Sequence, residues 1–445
     1  MIGNLVENYN SITPKKAFGL WSAIFLGIGS MVGAGIFIVI GEAGTIAGNL
    51  VSVSFIIGGV IALFCGYSLS KLAVKYPSRG GIVEYLVHGY GEGVFSGTLG
   101  MLFYLAQLVA LAAVSKSFGT YAATYLPIGD AHLYTNVFAV GILAFFVFIN
   151  LIGAAVVAKA ENIIVIIKLV ALIIFAVVAL FYIQPARLSI AHSPDMINVF
   201  YALGLTFFAF QGFSVITNSI EDMQNPQQTM LKAMTMAILL VTVLYVAVSI
   251  AVFGNLSLDT ILKDKDYALA EAAKPALGLW GFKIIAATAL LATASAINAT
   301  LYAVTQISYT LAKEGNLPEV YEYHVFHNTE GLLISAVLII PMIIFLDLSQ
   351  IASIAAIAVL LIQGFTHTGH LLKHKNTGAN PLLLTAAVLG SFGAGFFAIA
   401  YSSKAMPNLI YFILIIFFLA FVFEIAMRLT KKRVIEKQII SSSKM

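Results

Sequence analysis

An all-α integral membrane protein with twelve transmembrane helices is predicted from three observations. The 445 residues are 60% hydrophobic and only 10% charged, with a mean hydropathy of +0.97, whereas soluble domains are about 45–50% apolar and about 25% charged. The apolar residues gather into runs of about 20, the length a helix needs to cross a hydrocarbon core of roughly 30 Å. Glycines interrupt two of these runs, the first and the sixth, at corresponding places.

The elements follow in order. Residues 1–16 form a polar tail without the charged, apolar and small-residue regions of a cleavable signal. Spans are expected near 18–46, 50–75, 93–124, 133–155, 158–183, 195–221, 231–254, 279–311, 332–346, 348–371, 381–402 and 407–428, and a basic tail at 429–445 closes the chain. Twelve spans put both ends on one side. Sixteen Lys and Arg residues fall on that side, in the tails and alternate loops, against Arg187, Lys263, Lys265, Lys274 and Lys404 opposite. The positive-inside rule therefore predicts cytoplasmic termini in a cell membrane. The long outer connection, about 255–278, is expected to fold back over the outer surface. A single cysteine, Cys65, excludes an internal disulfide.

The stretch "GIGSMVGAGIF" places Gly27, Gly29, Gly33 and Gly35 in the first span, and "GLTFFAFQGFSVITNSIEDMQNP" interrupts the sixth with Gly204 and Gly212. Each glycine costs a soluble helix about 1 kcal/mol against alanine. Interrupted helices at matching positions of two halves point to the binding site of a secondary transporter. Unwinding frees N–H groups for a carboxylate and carbonyls for an ammonium, which suits a zwitterionic amino acid. The alternative is tight helix packing, since Gly29 and Gly33 make a small-xxx-small pair.

These residues carry a resemblance. "GIGSMVGAGIF", "YPSRGGIVEYLVHGYG" (76–91), "FQGFSVITNSIEDMQNP" and "LAKEGNLP" (311–318) together resemble the amino acid–polyamine–organocation (APC) superfamily, and most closely its proton-coupled, ApcT-type amino acid transporters. After "NP" the run departs from the family, with Gln227 and Gln228 where basic residues are usual and Leu231 at a proline position. The resemblance implies a LeuT-like fold. Spans one to five (17–185) and six to ten (195–376) would form a five-plus-five inverted repeat, with two further spans at 377–428 and with helices one and six broken. It also implies substrate contacts at Met31, Gly33, Ala34, Gly35 and Ile36 and at Phe208, Ala209, Phe210, Gln211 and Gly212. The amides of Ala34, Gly35 and Ile36 would hold the carboxylate. The carbonyls near Met31, Phe208 and Gln211 would face the ammonium, with Phe208 and Phe210 as an aromatic lid.

Lys168 interrupts "ENIIVIIKLVALIIFAVVAL" about 14 Å beyond Lys159 along the helix, near mid-membrane. An ion there is a functional hypothesis by default. Its ammonium is expected to donate to freed carbonyls of the first span, Gly29 above all, and to Thr293 or Ser295 in "ATASAINAT". The resemblance supports this, because ApcT-type transporters carry a lysine at the matching place and use the proton as coupling ion. Lys116 is expected to snorkel to the outer surface, His367, His370 and His374 to mark an interfacial helix end, and "LAKEGNLP" to be a solvated helix end. Glu221 and Asp222 end the sixth span on the cytoplasmic side and are candidates to close an inner gate.

No metal set, catalytic constellation or nucleotide-binding loop stands out, so neither an enzyme, an ATP-driven pump nor a nucleic-acid binder is expected. The function that fits is proton-coupled import of neutral L-amino acids across the lipid bilayer, with no cofactor. The rivals are an exchanger without ion coupling and a non-transporting amino acid sensor.

Overall fold

The computed structural model describes residues 19–78, 80–126, 131–152, 155–189, 193–326 and 328–430, with the side chains of Ala34, Ala131, 155–162 and Thr430 also left aside. Both expected tails, with Lys15, Lys16 and 431–445, lie outside the described residues. Helix α1 (Leu20–Ala47) turns at Gly48, whose φ of +54° favours glycine, into α2 (Val51–Lys75). A short helix α3 (Ile82–Tyr90) precedes α4 (Val94–Ala123), α5 (Ala131–Ile152) and α6 (Ala155–Leu180). The sixth expected span is a chain of pieces: α7 (Ile197–Tyr201), α8 (Leu203–Phe208), a 3-10 turn (Gln211–Ser214), α9 (Val215–Asn218) and another 3-10 turn (Ile220–Asp222).

Beyond it come α10 (Pro226–Asn255), the short α11 (Leu258–Lys263) and α12 (Ala268–Glu271) of the long connection expected at 255–278, and α13 (Lys274–Lys313), kinked at Gly278. A two-stranded hairpin, β1 (His324–Val325) with β2 (Asn328–Thr329), leads to α14 (Glu330–Phe345) and α15 (Leu348–Leu372). The chain closes with α16 (His374–Thr377), α17 (Pro381–Ala405) and α18 (Pro407–Thr430). A helix or chain of helices thus lies at each expected position. Ten stretches are long and apolar enough to cross a membrane, while α14 is shorter and α1 continues towards α2 in one such stretch.

One expectation is overturned at this level. The first span is not broken: α1 runs as a single helix through all four glycines. The physical reason is close approach. A Cβ on Gly27 would lie 2.4 Å from Ile216, one on Gly29 2.6 Å from Val165, and one on Gly33 2.7 Å from Ala296. The glycines let α9, α6 and α13 press against α1, so the packing alternative describes this conformation. α1 also packs against α2, α8 and α10, and its core faces are fully buried. The outward faces of α5, α6 and α18, by contrast, expose Phe148, Ile163, Ile173, Tyr411 and Phe418. Apolar faces of this kind fit contact with lipid tails.

Three polar expectations change as well. Lys116 does not snorkel: it is buried and donates to Asn136 Oδ1 and to the Ile343 carbonyl, each at 2.7 Å, joining α4 to α5 and α14. His367 and His370 are buried rather than interfacial, both 2.8 Å from the single hydroxyl of Ser68 on α2. One hydroxyl proton serves only one of the two rings, so the other ring must donate to it. No cluster of three metal-binding side chains occurs among the described residues. The turn in "LAKEGNLP" is present, with Gly315 at φ +83°. Glu314, however, is half-buried instead of solvated. Burial first, and the carboxylates of Glu84, Glu92 and Glu424 second, push it up to about 7.

Two predictions follow from this packing. A Cβ on Gly119 of α4 would lie 2.1 Å from the Thr135 carbonyl oxygen, whereas one on Gly141 of α5 meets nothing within 4 Å. Gly119→Ala should therefore destabilise by about 1–3 kcal/mol, and Gly141→Ala should be neutral or stabilising by about 0.5–1 kcal/mol, read as unfolding midpoints in detergent. Glu314 binds its proton more tightly folded than unfolded, so its contribution to stability falls as pH rises from about 4.5 to about 7. Glu314→Gln should flatten that fall and raise the thermal midpoint above pH 7; an unchanged pH profile would contradict the burial of this carboxyl.

Candidate functional site

Lys168 is fully buried on α6. Its Nζ donates to the carbonyl of Gly29 on α1 at 2.6 Å and lies 3.5 Å from Ser295 Oγ on α13. The sequence explains the reach. Val165, one turn earlier on α6, fills the place where Gly29 has no side chain, so the two helices approach closely enough for the amino group to meet the backbone. Small residues do the same on α13, where Ala292 and Ala296 border Gly33. Of the two hydroxyls expected near Lys168, only Ser295 is there. Thr293 donates to the Ala289 carbonyl of its own helix at 2.7 Å.

Near the middle of α1, the sixth segment crosses it backbone to backbone. A Cβ on Gly35 would lie 2.3 Å from the Ala209 carbonyl, and one on Gly212 would lie 2.4–2.5 Å from the backbone of Ser30 and Met31. At this crossing the sixth segment changes its hydrogen bonding. Ala209 N donates to Leu205 O, four residues back, but Phe210 N donates to Phe207 O and Phe213 N to Phe210 O, three back. A 3-10 stretch inside a helix frequently marks a hinge.

Tyr245 of α10 ties the crossing together. Its hydroxyl donates to the Met31 carbonyl at 2.7 Å and lies 3.2 Å from the Ala209 carbonyl. The ring packs tilted against Phe210, with centroids 5.2 Å apart, and edge-on against Phe55 of α2 at 5.5 Å. This residue escaped the sequence reading. The available signal was a tyrosine within an apolar span, since a buried tyrosine hydroxyl usually finds a partner.

The remaining expected residues divide plainly. Met31, Gly33, Gly35, Ile36, Phe208, Ala209 and Phe210 are all buried at or beside the crossing. The amides of Ala34, Gly35 and Ile36 lie inside α1 and serve its helix, so they are not free in this conformation. Phe210 belongs to the Tyr245–Phe55 aromatic cluster. Phe208 is buried too, at 6% exposure. The Gln211 side chain lies at the crossing with neither amide atom hydrogen-bonded to a described residue. Glu221 and Asp222 are exposed at the end of the sixth segment.

The arrangement has three parts: a buried lysine on α6, a glycine-lined helix, and a segment with 3-10 hydrogen bonding crossing it. Donors from Lys168 and Tyr245 meet carbonyls of α1 that are two residues apart. Such an arrangement can change the environment of the Lys168 amino group whenever α1 moves against α6 and α13.

Tyr245→Phe should lower stability by about 1 kcal/mol, because the Met31 carbonyl loses a donor while its helical bond remains. The measurement is chemical unfolding in detergent, and no change would show that this hydroxyl does not brace the crossing.

A family model for amino acid permeases matches residues 18–437. The chain is 37% identical to the inner membrane transport protein YbaT of Escherichia coli, over 78% of this chain and 81% of that one. It is 26% identical to the branched-chain amino acid permease BcaP of Bacillus subtilis, over 71% of each chain. With the serine/threonine exchanger SteT of the same organism it shares 24% identity, over 79% of this chain and 81% of that one.

Proposed function

The chain belongs to the amino acid permease family, and from that premise we propose that it imports neutral amino acids coupled to protons, by alternating access. Its relatives are transporters rather than enzymes. The observation that carries the proton-coupled reading is the buried Lys168 amino group on the Gly29 carbonyl. A charge-assisted bond of this kind is about twice as strong as a neutral one. While the group is protonated it holds α6 to α1 and, through Ser295, to α13. On losing its proton it weakens both bonds and lets α1 move. A bound ammonium in this place also disfavours a sodium ion there, because like charges repel.

The substrate would bind at the crossing of α1 and the sixth segment. Admitting it requires the Gly35–Ala209 and Gly212–Met31 contacts to part and α1 to open locally, since only then are the amides of Ala34, Gly35 and Ile36 released from their helical bonds for a carboxylate. The Met31 carbonyl, released by Tyr245, and the carbonyls near Phe208 and Gln211 would then face the ammonium. No charged side chain lies among residues 29–36 or 208–214, which favours substrates with neutral side chains, and the Gln211 amide is available for polar ones. In this reading α1–α6 and α7–α15 form the two halves of an inverted repeat, α17 and α18 lie outside it, and both termini are cytoplasmic.

The test is uptake of labelled alanine and serine into proteoliposomes, with inward proton and sodium gradients imposed separately. The proton gradient should drive uptake at least about tenfold above background, the sodium gradient should not, and Lys168→Ala should abolish the proton-driven part. Flux that ignored both gradients and required amino acid inside would make the protein an exchanger, as SteT is described.

A further inference from the structure

Towards the far end of α1 from Gly29 lies a second buried ionic group, which the transport reading above leaves unused. Glu42 is only 4% exposed. Lys265, from the outer connection, places its Nζ 3.2 Å and 3.3 Å from the two carboxylate oxygens. Ser349, in the first turn of α15, donates to Glu42 Oε1 at 2.7 Å. Lys265 Nζ also donates to the Ser349 hydroxyl, which closes the triangle. Beside it, Gly41 leaves no room between α1 and the connection: a Cβ there would fall 1.8 Å from the Lys265 carbonyl oxygen. The connection is braced from within, with the Tyr267 hydroxyl donating to Asp264 at 3.0 Å and Ser257 capping α11. Three separate elements therefore meet on one carboxylate that is almost wholly out of water.

We propose that Glu42, Lys265 and Ser349 form a latch that holds the outer entrance shut, so that opening to the outside requires the Glu42–Lys265 pair to part. This rests on the transport reading for which side is outer and for the need to open there. The chemistry suits a switchable contact. Lys265 keeps about a third of its side chain in water, so it can be rehydrated at small cost, whereas Glu42 alone would remain a buried charge without its cation, an expensive state. Separation therefore has to hydrate Glu42, and hydrating Glu42 means lifting the connection off Gly41. The same step uncovers a small neighbouring cleft lined by Ile46, Leu205, Ser353 and Tyr401.

The experiment places a reporter cysteine in that cleft, Ser353→Cys in a Cys65→Ser background, and measures its reaction with a membrane-impermeant maleimide added to right-side-out vesicles. With the latch intact, labelling should be slow. Glu42→Gln and Lys265→Met should each speed it by about tenfold, Lys265→Arg should leave it slow, and Ser349→Ala, which removes the two hydrogen bonds of the hydroxyl but keeps both charges, should speed it about threefold. Labelling rates unchanged in all of these variants would overturn the latch. Labelling needs no transport, so faster labelling in a protein without amino acid uptake would sink the transport reading and leave the latch standing. Uptake with unchanged labelling would do the reverse.

Discussion

The structure depends on how backbone carbonyls in an apolar interior are satisfied. In hydrocarbon, an unpaired carbonyl or amide costs several kcal/mol, so a helix that is to move or open there needs donors near at hand. α1 has two. Lys168 donates to the carbonyl of Gly29 and Tyr245 to that of Met31. Both come from neighbouring helices, and both reach α1 because its glycines remove side chains that would stand in the way. An α1 stripped of these glycines would pack at a greater distance, and neither donor would reach it.

The same helix carries an ionic contact nearer its other end, where Glu42 meets Lys265 and Ser349. α1 is thus held at two depths by different chemistry: a lysine on a carbonyl deep in the bundle, and a carboxylate between a lysine and a serine under the connection that carries α11 and α12. The sixth segment lies between them, pressed on α1 at Gly35 and Gly212 and already changed to 3-10 hydrogen bonding. In the proposed transport cycle, a helix held at two depths and crossed between them can rock only if one contact is released at a time.

Much of this was legible in the sequence, and the parts that were not share a cause. Apolar runs located the helices because crossing a bilayer fixes their length and composition. Lys168 stood out because no other charge neighbours it within its run, and Gly29, with Thr293 or Ser295, was named as its candidate partner with support from the family resemblance. The glycines of the first span were misread as a break, because sequence pattern alone does not separate a helix that unwinds from one that packs closely. Tyr245, Glu42 and Ser68 were passed over, since their partners come from helices far along the chain. Of the two hydroxyls named as alternatives on α13, Ser295 faces Lys168 while Thr293 bonds the carbonyl four residues back on its own helix, a choice that depends on the helix's rotation about its axis. Pairings across a bundle depend on which helices are neighbours, and hydropathy carries no such information.

The most direct test of the central claim is whether protons enter with the amino acid. The purified protein would be reconstituted into proteoliposomes loaded with a pH-sensitive dye, with no gradient imposed and the membrane potential clamped, and alanine would be added outside. The account predicts internal acidification that tracks alanine uptake in the native protein and is absent in Lys168→Ala. Alanine accumulation without any change of internal pH would contradict it.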